Sequence, residues 1–285
     1  MKIIAPAANS LIRVASQAEW PSIRFCLSDE IAATEQVTWG WQIHWRTFSK
    51  RGTAVTAKKE WDAKEAVAGL GGMLTVTARC AHGTAALSVQ LAGTNPSEQE
   101  ILAHLALDPN SAGFDKILQH ETQMMHFDAN GQPKASFDSG FGICQLTKPV
   151  PTYEQCWSWK QNINAGLALF AQKRAAASAY LSANGRSFTE DQLTRETVSR
   201  WNGGPYHVWS ASRSAWIRNP MVLCDSKTGN IGWDMTKPMN RGRNESILHS
   251  RDAAQYRRPP GPMDGWKYFG ICYADSLLGP PKTSY

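Results

Sequence analysis

Hydrophobic and polar positions change their spacing once along the chain. Val37, Trp39, Trp41, Ile43 and Trp45 alternate with Thr38, Gly40, Gln42 and His44, the two-residue period of a half-buried strand. Leu74, Val76, Ala78 and Cys80 repeat that period, as do Ala85, Leu87, Val89 and Leu91, and residues 80–84 between them read as a hairpin turn. The segment from Gly69 to Gly72 supplies another break. Short alternating strands with few helical signals predict a small β-sandwich over residues 1–95. Its indole-rich strand has the faces of a sugar-stacking platform, but core packing is the favoured reading, because large aromatics dominate such cores.

After the turn cluster GTNPS at 93–97 the period lengthens. Ser97 with Glu100 forms a capping box, and Ile101, Leu102 and Leu105 follow as a helical stripe. A second stripe runs through Ile163, Leu167, Phe170, Ala171 and Leu181, and a second capping box, Thr189 with Gln192, leads to Trp201. Beyond Pro205 the chain is irregular and rich in Gly, Pro and Trp, until an amphipathic run at 267–278. The expected fold is therefore α+β in two domains, a β-sandwich over 1–95 and a mainly α domain over 96–285. No internal repeat is present at a solenoid period.

One helical stripe ends unusually. Phe114, Ile117, Leu118 and Glu121 fall at i, i+3, i+4 and i+7 and share a face. A carboxylate closing an apolar stripe is costly to ionise, so the expected pKa is raised, as a general acid requires. The competing reading is a glutamate at a fraying helix end that turns out to water.

Composition narrows the function. With 285 residues, 42% hydrophobic and 19% charged, the chain is a folded protein rather than a disordered one. No apolar run reaches the ~20 residues of a membrane span, and the first residues are too short in apolar character for a standard export signal. A net charge of +6 suits an anionic polymer such as cell-wall glycan, a lipid surface or nucleic acid. Scattered basic residues without a nucleic-acid-binding signature disfavour the last. Six cysteines without a CxxC pair argue against structural zinc, and their pairing, if any, stays open.

Three segments follow Glu121 in order: Gly140-Phe141-Gly142-Ile143-Cys144-Gln145-Leu146, then Asn162-Ile163-Asn164-Ala165-Gly166, then Trp201-Asn202-Gly203-Gly204. This order resembles the lysozyme-like superfamily of lytic transglycosylases and goose-type lysozymes. The resemblance implies a lysozyme-like fold for 96–285 and cleavage of peptidoglycan at the MurNAc-β-1,4-GlcNAc bond, without cofactor or metal. It implies Glu121 as general acid, with Gly140, Phe141, Gly142, Gln145, Trp201 and Asn202 at the sugar. Glycines at 140 and 142 would let backbone approach a saccharide; the competing reading makes Gly203-Gly204 a helix cap and Gln145 a satisfier of backbone groups.

The second carboxylate decides the reaction. Asp138, two residues before Gly140, matches one aspartate of goose-type enzymes, whereas Thr147 stands where a second would be. Asp128 is another candidate, in a stretch read as a turn because it lacks the glycine and glutamate of a calcium loop. Hydrolase and transglycosylase both stay open. Cys144 is expected to be a core residue; a cysteine nucleophile would need His120 or His126 beside it.

The segments GGMLTVTA at 71–78 and LAGTNPS at 91–97 resemble an Ig-like module found ahead of lysozyme-like domains in type VI secretion effectors and spike-associated proteins. That resemblance implies synthesis in the cytoplasm, delivery by a contractile apparatus into a neighbour's periplasm, a spike protein as carrier and a cognate immunity protein. The alternatives are a phage tail-associated lysozyme, or a non-catalytic glycan-binding spike component.

Overall fold

The computed structural model describes residues 1–28, 30–137 and 139–281, so Asp138 lies outside the described residues. Strands and helices are mixed in an α+β chain. It divides into two compact units, residues 1–107 with 121–166, and residues 108–120 with 167 onward. This is a different division from one at 95/96, and the reason lies in the first core.

The first unit begins with β1 (Ile3–Ala5), β2 (Leu11–Arg13), β3 (Arg24–Leu27), β4 (Val37–Trp45), β5 (Phe48–Thr56), β6 (Glu60–Asp62), β7 (Gly72–Cys80) and β8 (Gly83–Ala92). They form a five-stranded sheet in the order β2-β8-β7-β4-β5 and a three-stranded sheet in the order β1-β3-β6. The β7–β8 hairpin turns at Ala81-His82, with Cys80 opposite Gly83, as the alternation predicted. On β4 and β7, Val37, Trp39, Ile43, Leu74, Val76 and Ala78 are fully buried. Trp39 stacks on Trp61 of the smaller sheet at 6.1 Å between ring centroids, so the two sheets share one core. Trp39 and Trp45 of β4 are therefore packing groups. Trp41, half-buried, lies over Gly52, where a Cβ would come within 2.7 Å of the indole, and also lines a groove with Gln42, Arg51 and Thr77.

That core is not closed by the strands alone. Phe127, Phe141, Tyr153, Cys156 and Trp157 join the same cluster. Trp45 meets Phe141 and Trp157 edge-on, each at 5.7 Å, and Phe48 stacks on Tyr153 at 5.5 Å. Each large apolar side chain removed from water contributes about 1.5–3 kcal/mol, so strands and loop are held as one body. Gly71 and Gly93 make the contact possible, since a Cβ at either would lie 2.0–2.2 Å from the ring of Trp157 or Phe127.

The helices are α1 (Glu98–Leu105), α2 (Phe114–Thr122), α3 (Tyr153–Trp157), α4 (Trp159–Leu181) and α5 (Glu190–Asn202). Both predicted capping boxes form, Ser97 with Glu100 and Thr189 with Gln192, and Thr152 with Gln155 makes a third at α3. The unit boundary runs through α2 and α4.

In the second unit Phe114, Phe170 and Trp201 form an aromatic cluster. The stretch after Pro205, irregular by sequence, holds two small sheets: β9 (His207–Ser210) with β10 (Ala215–Arg218), and β11 (Val222–Cys224), β12 (Ile231–Asp234) and β13 (Trp266–Tyr268) in that order. Strands of three or four residues carry too few alternations to be read. Helices α6 (Glu245–Asp252) and α7 (Gly270–Leu278) complete the unit. A disulfide joins Cys224 to Cys272, while Cys26, Cys80, Cys144 and Cys156 are free. Gly203 follows α5 in extended conformation, φ 172°. Its glycine is required by proximity to α7, where a Cβ would lie 2.9 Å from the Gly270 nitrogen.

Candidate active site

Helix α2 stops abruptly. Gln123 and Met124 both take left-handed backbone, φ 56°, a conformation that costs a non-glycine residue about 1–2 kcal/mol. Lys134 reaches back to the helix end, its Nζ donating to the Thr122 carbonyl at 2.9 Å, where an ammonium suits the negative end of the helix dipole. Phe114, Ile117 and Leu118 are buried, as the stripe required, and Glu121 is half-buried at the open end. It faces neither a dry core nor bulk water.

Glu121 lines a cleft of about 400 Å³ within the first unit, together with Trp45, Arg46, Asp128, Lys134, Ser136 and Gln145. That volume falls among small-ligand clefts, roughly 300–1,000 Å³. Glu121 and Gln145, drawn from separate stretches of sequence, are brought together here. Gln145 adopts left-handed backbone, φ 49°, and so does Arg46, φ 51°. Left-handed residues that are neither Gly nor Asn thus occur on two walls of the cleft and at the end of the helix carrying its glutamate. Backbone strain of this kind, about 1–3 kcal/mol per residue, concentrates at functional sites.

The 140–146 loop is held from three sides, all within the first unit. Asn162, fully buried on α4, accepts from the Cys144 nitrogen at 2.9 Å and donates to the carbonyls of Phe141 at 3.1 Å and Gln155 at 3.0 Å. His126, also fully buried, accepts from the Ile143 nitrogen through Nδ1 and donates through Nε2 to the Cys156 carbonyl. Burial pushes its pKa down to about 4, so the ring is neutral, as this donor-and-acceptor arrangement requires. Thr122, next to Glu121, donates its hydroxyl to the Ile143 carbonyl at 3.0 Å. Helix end and loop are therefore coupled directly.

The loop glycines have a different reason from the one expected. Gly142 has φ 72°, and a Cβ there would lie 2.5 Å from Asn162 Nδ2 and 2.6 Å from the His126 ring; a Cβ at Gly140 would lie 2.6 Å from Ser136 Oγ. Both bare faces are filled by protein atoms, so these glycines serve loop packing instead of approach by a sugar. Phe141 likewise points into the aromatic core. Gln145 donates Nε2 to the Gly142 carbonyl at 2.7 Å while lining the cleft, which joins the backbone-satisfying and cleft readings in one residue.

Trp201 and Asn202 belong to the second unit, Trp201 packed against Phe114 and Phe170, and Asn202 the last residue of α5. Asp128 forms the expected turn: its Oδ1 accepts from the nitrogens of Asn130 at 2.8 Å and Gln132 at 3.0 Å. It also shares the cleft with Glu121. Among the described residues no cluster of three or more His, Cys, Asp or Glu side chains could hold a metal ion, and no helix is long and apolar enough to cross a membrane.

A cysteine nucleophile does not fit. Cys144 is 1% exposed. Burial, and secondarily the Glu121 carboxylate, raises its pKa well above the ordinary thiol value. His126 has both ring nitrogens engaged with backbone and is no base for it.

Arg46, Trp45, Lys134 and Ser136 were not picked out by sequence as cleft residues. Only the break between Trp45 and Phe48, where strand alternation stops without Gly or Pro, hints at Arg46. Scans against family models and against curated proteins find no match to this chain.

Proposed function

We propose that this protein cleaves peptidoglycan glycan strands at the MurNAc-β-1,4-GlcNAc bond, with Glu121 as general acid. The observation that carries the reading is Glu121 at the strained, open end of α2, in one cleft with Gln145 of the Asn162-pinned loop. In the proposed reaction the Glu121 carboxyl protonates the glycosidic oxygen, and the GlcNAc leaving group departs as the MurNAc C1–O bond breaks. The resulting carboxylate then takes a proton either from water, giving a reducing end, or from the C6 hydroxyl of MurNAc, which closes a 1,6-anhydro ring. The second route needs no second carboxylate. Asp128 is the described carboxylate available for the first, since it lines the same cleft.

The carrier reading is a secreted antibacterial effector of a type VI apparatus, with a spike protein and an immunity protein as partners and a target periplasm as the site of action. The Cys224–Cys272 disulfide supports an oxidising destination. Glu121→Gln should lower release of soluble muropeptides from purified sacculi by about 10²–10⁴-fold, the usual contribution of a general acid–base group, with unfolding unchanged. Undiminished release excludes Glu121 as the acid. Mass analysis of the products separates anhydro-ended fragments from reducing ones. Sacculus binding with no release by the wild-type chain would favour a non-catalytic glycan-binding protein.

A further inference from the structure

Arg46 stands apart from the other charged groups of the cleft. Lys134 is tied to the Thr122 carbonyl, and Asp128 to two backbone nitrogens. The Arg46 guanidinium makes no hydrogen bond or ion pair among the described residues, and Arg46 is exposed. Its Cζ lies over two rings, 5.3 Å from the Trp45 ring centroid and 5.9 Å from that of Phe141. A guanidinium carries five N–H donors in a planar fork, and contact with ring carbons satisfies none of them. The segment between β4 and β5 that bears it bends through left-handed backbone at Arg46 itself, φ 51°. Arg46 and Lys134 line the same cleft as Glu121 and Asp128, so two basic side chains share it with two carboxylates.

We propose that Arg46 binds a carboxylate of the substrate by its fork, which makes the cleft selective for carboxylated muramyl glycan over neutral β-1,4-GlcNAc chains. The selectivity rests on the glycan-cleaving reading of the same cleft. The carboxylate has two sources of one chemistry, the lactyl group of MurNAc where it is unsubstituted, or the stem peptide where the lactyl group is amidated. The strand sheet thereby supplies a substrate contact, and not only a platform for the loop.

The test titrates the full-length chain with three soluble probes at low ionic strength: N-acetylmuramic acid, muramyl dipeptide and di-N-acetylchitobiose. Binding is followed by calorimetry or by Trp45-sensitive fluorescence. At least one carboxylated probe should bind roughly tenfold or more tightly than chitobiose, as expected for a bidentate charge-assisted pair. Preference for N-acetylmuramic acid assigns the lactyl source, and preference for muramyl dipeptide the peptide source. Arg46→Gln should bring the carboxylated probes to the chitobiose level while leaving chitobiose binding unchanged. Arg46→Gly, which relieves the left-handed backbone while removing the side chain, should do the same, with its thermal midpoint showing that it folds. Equal affinity of the wild type for all three probes overturns the inference. So does an Arg46→Gln chain that keeps the preference, or one that loses all three probes alike. Muropeptide release by wild type and by Glu121→Gln is read separately, so failure of the cleavage reading shows there whatever Arg46 does.

Discussion

Asn162 and Asn164 lie two residues apart on α4 and differ sharply in what their amides do. Asn162 is fully buried with three backbone partners, at 2.9, 3.1 and 3.0 Å. Asn164 is exposed with one side-chain partner, His104 Nε2, at 2.8 Å. Asn162→Ala leaves the Cys144 nitrogen and the carbonyls of Phe141 and Gln155 without that partner in a buried setting. At about 1 kcal/mol for each lost bond the cost is about 3 kcal/mol, and more where water does not reach the stranded groups. For a unit of this size that lowers the unfolding midpoint by roughly 6–12 °C, at about 2–4 °C per kcal/mol. Asn164→Ala should stay within about 0.5 kcal/mol. Thermal unfolding followed by near-UV circular dichroism reads both, because the cluster of Trp45, Phe141 and Trp157 reports on the first unit. Hydrogen exchange at the Cys144 amide isolates the local effect, and protection there should fall in Asn162→Ala alone. The reasoning is refuted if the two variants unfold together, or if the Cys144 amide keeps its protection without the Asn162 side chain.

His126 makes the first unit sensitive to acid. Its folded pKa of about 4 lies below the ordinary imidazole value of 6.5, so the unfolded chain binds the extra proton. Its contribution is complete above about pH 6.5 and falls away as the pH drops towards 4, by about 3 kcal/mol at most. Urea midpoints from pH 7 to 4.5 should fall more steeply for the wild type than for His126→Gln, and parallel slopes would remove His126 as the cause. Gly142→Ala combines left-handed backbone with overlap on Asn162 and His126, and should cost about 2–4 kcal/mol. Gly185→Ala, with φ 71° but open space around it, should cost only the backbone share, about 1–2 kcal/mol, so equal midpoint shifts would refute the packing account. Reducing the Cys224–Cys272 bond, 48 residues apart, should destabilise the second unit by up to about 4 kcal/mol by the loop-entropy relation. Calorimetry with and without reductant should show one transition moving and the transition of the first unit staying in place.

Local signals were read where one segment contains the whole cause. Both predicted capping boxes hold, because a Ser or Thr and the residue three positions on complete the bonding by themselves. The alternation through Trp39 and Val76 placed the buried faces of β4 and β7, since pleat direction follows from position alone. The turn at Asp128 was legible for the same reason. The stripe ending in Glu121 located the carboxylate at a helix end, but not the cations beside it, because Arg46 arrives from a strand connection some seventy-five residues earlier.

What the sequence alone determined, then, is the α+β character, the strand faces, the helix starts and the position of Glu121 on its helix. Tertiary structure decided the rest. Only it shows that Gly140 and Gly142 are bare because Ser136, Asn162 and His126 fill the space. Only it shows that the 127–157 region completes the core of the strands, so that the compact units are discontinuous in sequence. Which cysteines pair was equally closed to spacing and is decided by the second unit's fold. The physical reason is common to all three. Periodicity records which way a side chain points, whereas a site is made by which distant atoms occupy the space it points into.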